Sequence, residues 1–225
     1  MTILQNIEWT FDEKEFFKAS AIDDDELVYE ARRFTQFAVP LLKPKAVYDE
    51  LFVEDLGENT VTIGGVTFTS AMLRKNLEGI HRVFPFIVTC GNELEGIDLS
   101  GFDFLAVFWL DTIKEMAVKQ ASAYLEEHVS TISGFKKLAS MNPGSGNVDL
   151  WPIQQQKQLF SLFPHVTEDI GVTLTRSFLM VPNKSISGIF FPSEVNYMNC
   201  KYCTRENCPN RRASFKGEEI GLSRR

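Results

Sequence analysis

A long apolar segment in the middle of the chain limits the possible folds more than any other feature. From Phe102 to Val129, FDFLAVFWLDTIKEMAVKQASAYLEEHV repeats apolar residues at helical spacing for about seven turns. Its first half is apolar almost all round, so burial is expected there, with solvent reached near Lys114, Lys119, Glu126 and Glu127. One long central helix follows, and the remaining elements must pack around it. The chain has 225 residues, 44% of them hydrophobic, which suffices for one fairly large domain with a buried core and not for two full-sized ones.

The flanking segments read as a mixture of helix and strand. The first forty residues look helical, with Asp23 to Asp25 as an acidic helix start and Leu27, Ala31, Phe34, Ala38 and Leu41 on one face, until Pro40 and Pro44 interrupt. From Ala46 to Thr69 the composition turns to β-formers, and Gly64-Gly65 between two β-branched runs marks a hairpin. Ser70 is placed to cap a short helix ended by Gly79, and HRVFPFIVTC reads as a buried strand. A glycine-containing loop, Cys90 to Gly101, leads into the long helix. Beyond the break SMNPGSGN, Pro152 opens a helix over IQQQKQLFSLF, and VTLTRSFLMVP and SISGIFF read as two strands joined by Pro182-Asn183-Lys184. The expected class is α+β: a twisted, mainly antiparallel sheet with flanking helices and one long central helix.

Charge and cysteine placement narrow the function. The formal net charge of −7 argues against nucleic-acid and anionic-membrane binding, since both need a basic face. There is no uninterrupted apolar run long enough to span a bilayer, and the acidic, mixed start does not resemble a leader, so a cytoplasmic protein is expected. Residues 201–225 hold seven Lys or Arg against three Glu, which makes a basic tail on an acidic body. The division expected is a domain over 1–199 and a cysteine-containing basic tail over 200–225, with Arg205, Arg211 and Arg212 as contacts for an acidic partner. Three of the four cysteines, Cys200, Cys203 and Cys208, fall within nine residues, whereas Cys90 is remote. Such clustering favours thiolates around zinc or an iron–sulfur cluster over disulfides; the alternative is a tail whose cysteines merely lie close together. The fourth ligand would be Cys90, a cysteine of another subunit, a His or an exogenous molecule.

In the loop Ser140 to Asn147, Gly144, Ser145 and Gly146 leave the backbone open to close approach by a ligand, although a plain turn would have the same composition. The loop has neither a Walker motif nor a dinucleotide fingerprint. The three histidines, at positions 81, 128 and 165, suggest no acid–base pair. Phe108, Trp109, Phe160 and Phe163 read as core.

Several short motifs here occur in one family in the same order. Pro143-Gly144, then Leu174-Thr175-Arg176-Ser177, Met180 with Pro182, and Ser185-Ile186-Ser187-Gly188 resemble the activation domain of cobalamin-dependent methionine synthase. The resemblance is dense over about sixty residues and looser over the Thr89 to Gly91 turn and the long helix. It implies a domain that binds S-adenosylmethionine and docks on a corrinoid-carrying protein or methyltransferase. There, one electron from a flavoprotein or ferredoxin, trapped by methyl transfer, restores methylcobalamin. The residues assigned to the methyl donor or corrinoid are Asn142, Pro143, Gly144, Ser145, Gly146, Asn147, Trp151 and Lys184, with Cys200, Cys203 and Cys208 assigned to metal.

Two departures stand beside the matches. Ser140 and Ser145 occupy positions where the family typically has an Arg and a Tyr, and a serine does not replace a guanidinium that grips a carboxylate. Lys136, Lys137 and Lys184 are the candidate replacement cations. The cysteine-containing tail stands where the family chain runs on as a helix. Three readings therefore remain: a reactivation partner using S-adenosylmethionine, an iron–sulfur or zinc electron-transfer or interaction module without methyl-donor chemistry, and a structural subunit whose zinc orders the tail.

Overall fold

The computed structural model of the chain describes residues 1–147, 149–193, 197–208 and 211–220. In chain order the elements are β1 (Thr2–Leu4), α1 (Glu13–Ala19), α2 (Asp25–Ala38), β2 (Lys45–Tyr48), β3 (Leu51–Leu56), β4 (Thr60–Ile63), β5 (Val66–Thr69) and α3 (Ala71–Asn76). Then follow β6 (Arg82–Thr89), α4 (Ala106–Ser133), β7 (Leu138–Met141), α5 (Gln156–Ser161), α6 (Val166–Ile170), β8 (Thr173–Leu174), β9 (Met180–Val181) and β10 (Ser185–Pro192).

The sheet is organised by β6, the HRVFPFIVTC segment. On one side it pairs with β2, Val47 lying opposite Ile87, and at its beginning with β3, Leu51 opposite Val83. On the other side it pairs with β10, Gly188 opposite Phe86, and β10 pairs in turn with β7, Phe190 opposite Ser140. β1 extends the sheet beyond β2, and β4 and β5 continue it beyond β3; every pairing is antiparallel. The hairpin at Gly64-Gly65 is as expected, with both glycines at positive φ (56° and 72°), the conformation that a two-residue turn of this kind requires.

Alternation along β6 separates two apolar layers. Phe84, Phe86 and Val88 face Ala121, Leu125 and Val129 of α4, together with Tyr48 and Phe190. Val83 and Ile87 face the opposite side, where Trp151, Leu159, Phe163, Val166 and Ile170 cover the sheet. The long helix is therefore central, as its apolar content required. Helices α1 and α2 pack Phe16 and Phe34 against its first turns near Trp109 and Ile113. Asp12 and Asp24 start these two helices by accepting hydrogen bonds from the amides two and three residues on, and Ser70 does the same for α3 through Leu73.

Several expectations need correction. The opening segment holds an edge strand, β1, and two helices, because Asp12 and Asp24 each begin a new one. The apolar segment is not buried all round at its start: Phe104, just before α4, and Val107 and Phe108 in its first turn are exposed, whereas Lys114 is buried at 6% exposure. The loop after Cys90 crosses that part of the helix and brings Glu95 onto the Lys114 ammonium, so the charge is matched and not solvated. VTLTRSFLMVP does not form one strand. It folds on itself as the β8–β9 hairpin, with Phe178 at φ 63° and the Thr175 hydroxyl accepting from the Leu179 amide at 3.0 Å. No helix among the described residues is long and apolar enough to cross a membrane.

Candidate functional site

The small-residue loop leaves the end of β7 and is held by a network of its own. Asn142 Nδ2 donates to the Ser187 carbonyl at 2.7 Å, and Asn142 Oδ1 accepts from Asn199 Nδ2 at 3.0 Å. The Gly144 amide donates to the Trp151 carbonyl at 2.8 Å and the Ser145 amide to the Asn142 carbonyl at 3.1 Å. Asn147 is buried, its Oδ1 accepting from the Asp149 amide at 3.0 Å. The amides of Gly144 and Ser145 are therefore already paired inside the protein and do not face a ligand. A Cβ on Gly144 would lie 2.8 Å from that of Ile153, so this glycine serves packing. Asn142, Pro143, Gly144 and Asn147 make up the scaffold of the loop, and exposed Ser145 with half-buried Gly146 forms the side that lines the groove.

The neighbouring strand motif has the same purpose. Ser185 Oγ donates to the Pro182 carbonyl (2.8 Å) and pairs with the Thr89 hydroxyl (2.9 Å), and Ser187 Oγ donates to Gln156 Oε1 (2.8 Å). A Cβ on Gly188 would lie 2.4 Å from the Met141 carbonyl oxygen and 2.5 Å from Asn142 Nδ2. The Ser-x-Ser-Gly sequence thus allows β10 to lie close against the root of the loop.

The cysteine-containing tail folds back over this region. Tyr202 stacks on Tyr197, which packs on Phe191 at the end of β10. Asn199 closes on the loop, its carbonyl 3.1 Å from where a Cβ on Gly146 would be. Arg211 then gathers the turn: Nη1 donates to the carbonyls of Cys200 (2.8 Å) and Ala213 (3.4 Å), and Nη2 to those of Cys203 (3.1 Å) and Arg205. Carbonyls surround this guanidinium, so it is a structural pin.

Between tail, loop and long helix lies a groove of about 760 Å³. One wall is a stripe of α4, Lys119, Ser122, Ala123 and Glu126; the floor includes Ile186; the loop contributes Ser145 and Gly146. The opposite wall is Asn199 and the tail, with Cys200, Cys203, Cys208, Arg211 and Arg212. Although Glu126 is largely exposed, partial desolvation beside the groove raises its carboxyl above its usual pKa, and the Arg212 charge partly opposes that rise. The size falls within the roughly 300–1,000 Å³ of small-molecule clefts.

The other expected site residues are placed elsewhere. Trp151 is 1% exposed, edge-on to Phe68 in the core beneath the sheet, so it does not cover a corrinoid or an adenine. Lys184 binds Asp111 at 2.9 Å and Glu115 at 3.1 Å, tying the turn after β9 to α4. Burial disfavours its charge, but the two carboxylates outweigh that effect and raise its pKa. Ser140 is a ladder residue of β7, and Lys136 and Lys137 are exposed at its start; none of the three lines the groove. Cys90 is fully buried in the α1–α2–α4 core, its thiol pushed up to about 12 by burial, and is thereby removed as a fourth ligand. The other three cysteines are half-buried free thiols along one wall. Among the described residues no three His, Cys, Asp or Glu side chains converge as ligands for an ion, and the turn carrying the thiols is wound around Arg211. The last five tail residues, 221–225, lie outside the described residues.

The helix wall of the groove is not among the residues that the motifs mark. Its signal was present in the sequence: positions 119, 122, 123 and 126 share one helical face and break the apolar run with Lys, Ser and Glu.

Residues 117–213, from the middle of α4 to just beyond the Arg211 turn, match the family described as vitamin B12 dependent methionine synthase, activation domain. No curated protein matches the chain. Among solved structures, one described as the MetH reactivation domain bound to AdoHcy matches with a TM-score of 0.55 at 16% identity, covering 85% of this chain and 73% of that one. The chain therefore has the fold of a methionine synthase reactivation domain, and the resemblance seen in its loop and strand motifs is to the activation-domain family of the vitamin B12 dependent enzyme.

Proposed function

We propose that the groove binds S-adenosylmethionine and that the chain reactivates a cobalamin-dependent methyltransferase or corrinoid protein. The observation that carries this reading is the groove itself, formed where the matched segment brings α4, the Pro143-Gly144 loop and the tail together. The solved domain of similar fold holds AdoHcy, which is S-adenosylmethionine without its methyl group. In the reaction, one electron from a flavoprotein or ferredoxin reduces the partner's Co(II) to Co(I). The Co(I) electron pair then forms the cobalt–carbon bond as the sulfonium–methyl bond breaks, and that bond's electrons stay on sulfur. The task of the chain is positioning, which needs no acid–base pair. All four cysteines are free thiols, which suits a reducing cytoplasm.

The test is anaerobic mixing of the full chain with a Co(II) corrinoid protein, a chemical reductant and S-adenosylmethionine. Methylcobalamin absorbance is expected only when all are present. Calorimetry that detects no S-adenosylmethionine binding at millimolar ligand would remove the reading.

A second reading keeps an iron–sulfur cluster or zinc, because Cys200, Cys203 and Cys208 border one groove. It requires the centre itself to draw the three thiols together. Metal analysis and an ultraviolet–visible spectrum of protein purified without oxygen decide it: a bleachable violet band indicates a cluster, bound zinc without colour indicates zinc, and metal-free protein removes the reading.

A further inference from the structure

Wherever a groove is to hold the amino-acid end of a ligand, it must offer an acid to the ammonium and a cation to the carboxylate. Ser140, Lys136, Lys137 and Lys184 do not line this groove, so none of them supplies the cation. Three basic residues do line it. The Arg211 guanidinium is taken up by the carbonyls of Cys200, Cys203, Arg205 and Ala213, and Lys119 pairs with Glu115 one turn back along α4 at 2.7 Å. Arg212 remains, on the tail wall, and its charge acts on Glu126 of the helix wall. Both residues line the same groove, Arg212 from the tail and Glu126 from α4, and no ion pair between them is formed among the described residues. A zwitterion fits between charges arranged in this way.

We infer that Arg212 grips the α-carboxylate of the amino-acid ligand while Glu126 receives its α-ammonium, so that the tail completes the binding site. This assignment rests on the proposed binding of S-adenosylmethionine and specifies how it is achieved. It also gives the tail a second purpose: Arg211 pins the turn and thereby presents its neighbour Arg212 to the groove.

The test measures affinity of the full chain for S-adenosylmethionine and for its decarboxylated analogue, which keeps the sulfonium and the amine and lacks the carboxylate. Arg212→Ala is expected to weaken S-adenosylmethionine binding about tenfold or more and to leave the analogue within about twofold. Glu126→Gln is expected to weaken both. Arg212→Gln is the second variant, and circular dichroism checks that each folds. If the wild type binds S-adenosylmethionine and Arg212→Ala binds it equally well, the assignment is wrong and the site reading survives. If Arg212→Ala weakens both ligands alike, Arg212 acts without reading the carboxylate, and the assignment is again overturned. A wild type that binds neither ligand removes the site reading and the assignment together.

Discussion

Gly188→Ala tests whether the loop root and β10 are packed as tightly as the coordinates require. The new methyl would lie 2.4 Å from the Met141 carbonyl oxygen and 2.5 Å from Asn142 Nδ2, about 1 Å inside ordinary contact. Neither neighbour can step aside cheaply: Met141 is held in the β7–β10 ladder opposite Ile189, and Asn142 donates to the Ser187 carbonyl. Overpacking of this kind costs about 1–3 kcal/mol. Loss of the Asn142 bond adds about 1 kcal/mol, and replacing a strand glycine by alanine returns about 0.5–1 kcal/mol. The net expectation is a destabilisation of about 2 kcal/mol, read as a lower urea midpoint at unchanged slope. Because β7 can relieve the clash only by moving the loop, S-adenosylmethionine affinity should fall as well. Gly65→Ala is the control: nothing lies within 4 Å of its Cβ, and the cost is that of a positive φ alone, about 1–2 kcal/mol, with no effect on ligand. A Gly188→Ala protein within about 0.5 kcal/mol of wild type and unchanged in ligand affinity would refute the packing argument.

Three further outcomes follow from the same coordinates. Ser187→Ala leaves the buried Gln156 carboxamide without its partner and should cost about 1–3 kcal/mol in a denaturant titration, against little for exposed Ser161→Ala. Arg211→Lys puts one ammonium where a fork reaches four carbonyls, so alkylation of Cys200, Cys203 and Cys208 should quicken while Cys90 stays protected; unchanged rates would mean that the turn holds without its pin. Glu115 is held below its ordinary 4.5 by Lys119, and by Lys184 against the cost of burial. A lowered carboxyl pKa contributes stability above the unfolded value and loses it as pH falls through the folded value, so the advantage of wild type over Glu115→Gln should be present at pH 7 and fade below about pH 4.

Legibility in the sequence followed the range of the interactions involved. The long helix, the Gly64-Gly65 hairpin, the Ser70 cap and the buried strand β6 each depend on periodicity or on residues a few positions apart, and each forms in the segment the pattern marked, the helix running from Ala106 to Ser133 and so beginning and ending four residues later than the apolar repeat. The exposure of Phe104 and Phe108 and the burial of Lys114 depend on a loop crossing the helix, which no local pattern encodes. The same distinction applies to the site. Pro143-Gly144 and Ser-x-Ser-Gly are visible as motifs, but the open backbone expected at Gly144 is taken up by Ile153, and Gly188 makes room for Met141 and Asn142. Trp151 follows the same rule: its adjacency to the loop in sequence does not reveal that the chain turns inward toward Phe68.

Loop and tail are therefore two halves of one device. The loop contributes little polar chemistry to the groove, since the amides of Gly144 and Ser145 are paired internally and Asn142 is shared between Ser187 and Asn199. Its contribution is a rigid edge against which Asn199 closes, with Gly146 small enough to let the Asn199 carbonyl approach. Charge comes from elsewhere, Glu126 from the helix and Arg212 from the tail. A ligand in this groove would thus touch both the sheet domain and the tail, and its binding free energy would appear as added stability of the folded-back tail. Limited proteolysis measures that linkage directly: saturating S-adenosylmethionine should slow cleavage within residues 200–220 in wild type and not in Arg212→Ala. Equal protection in the two proteins would show that ligand and tail are uncoupled.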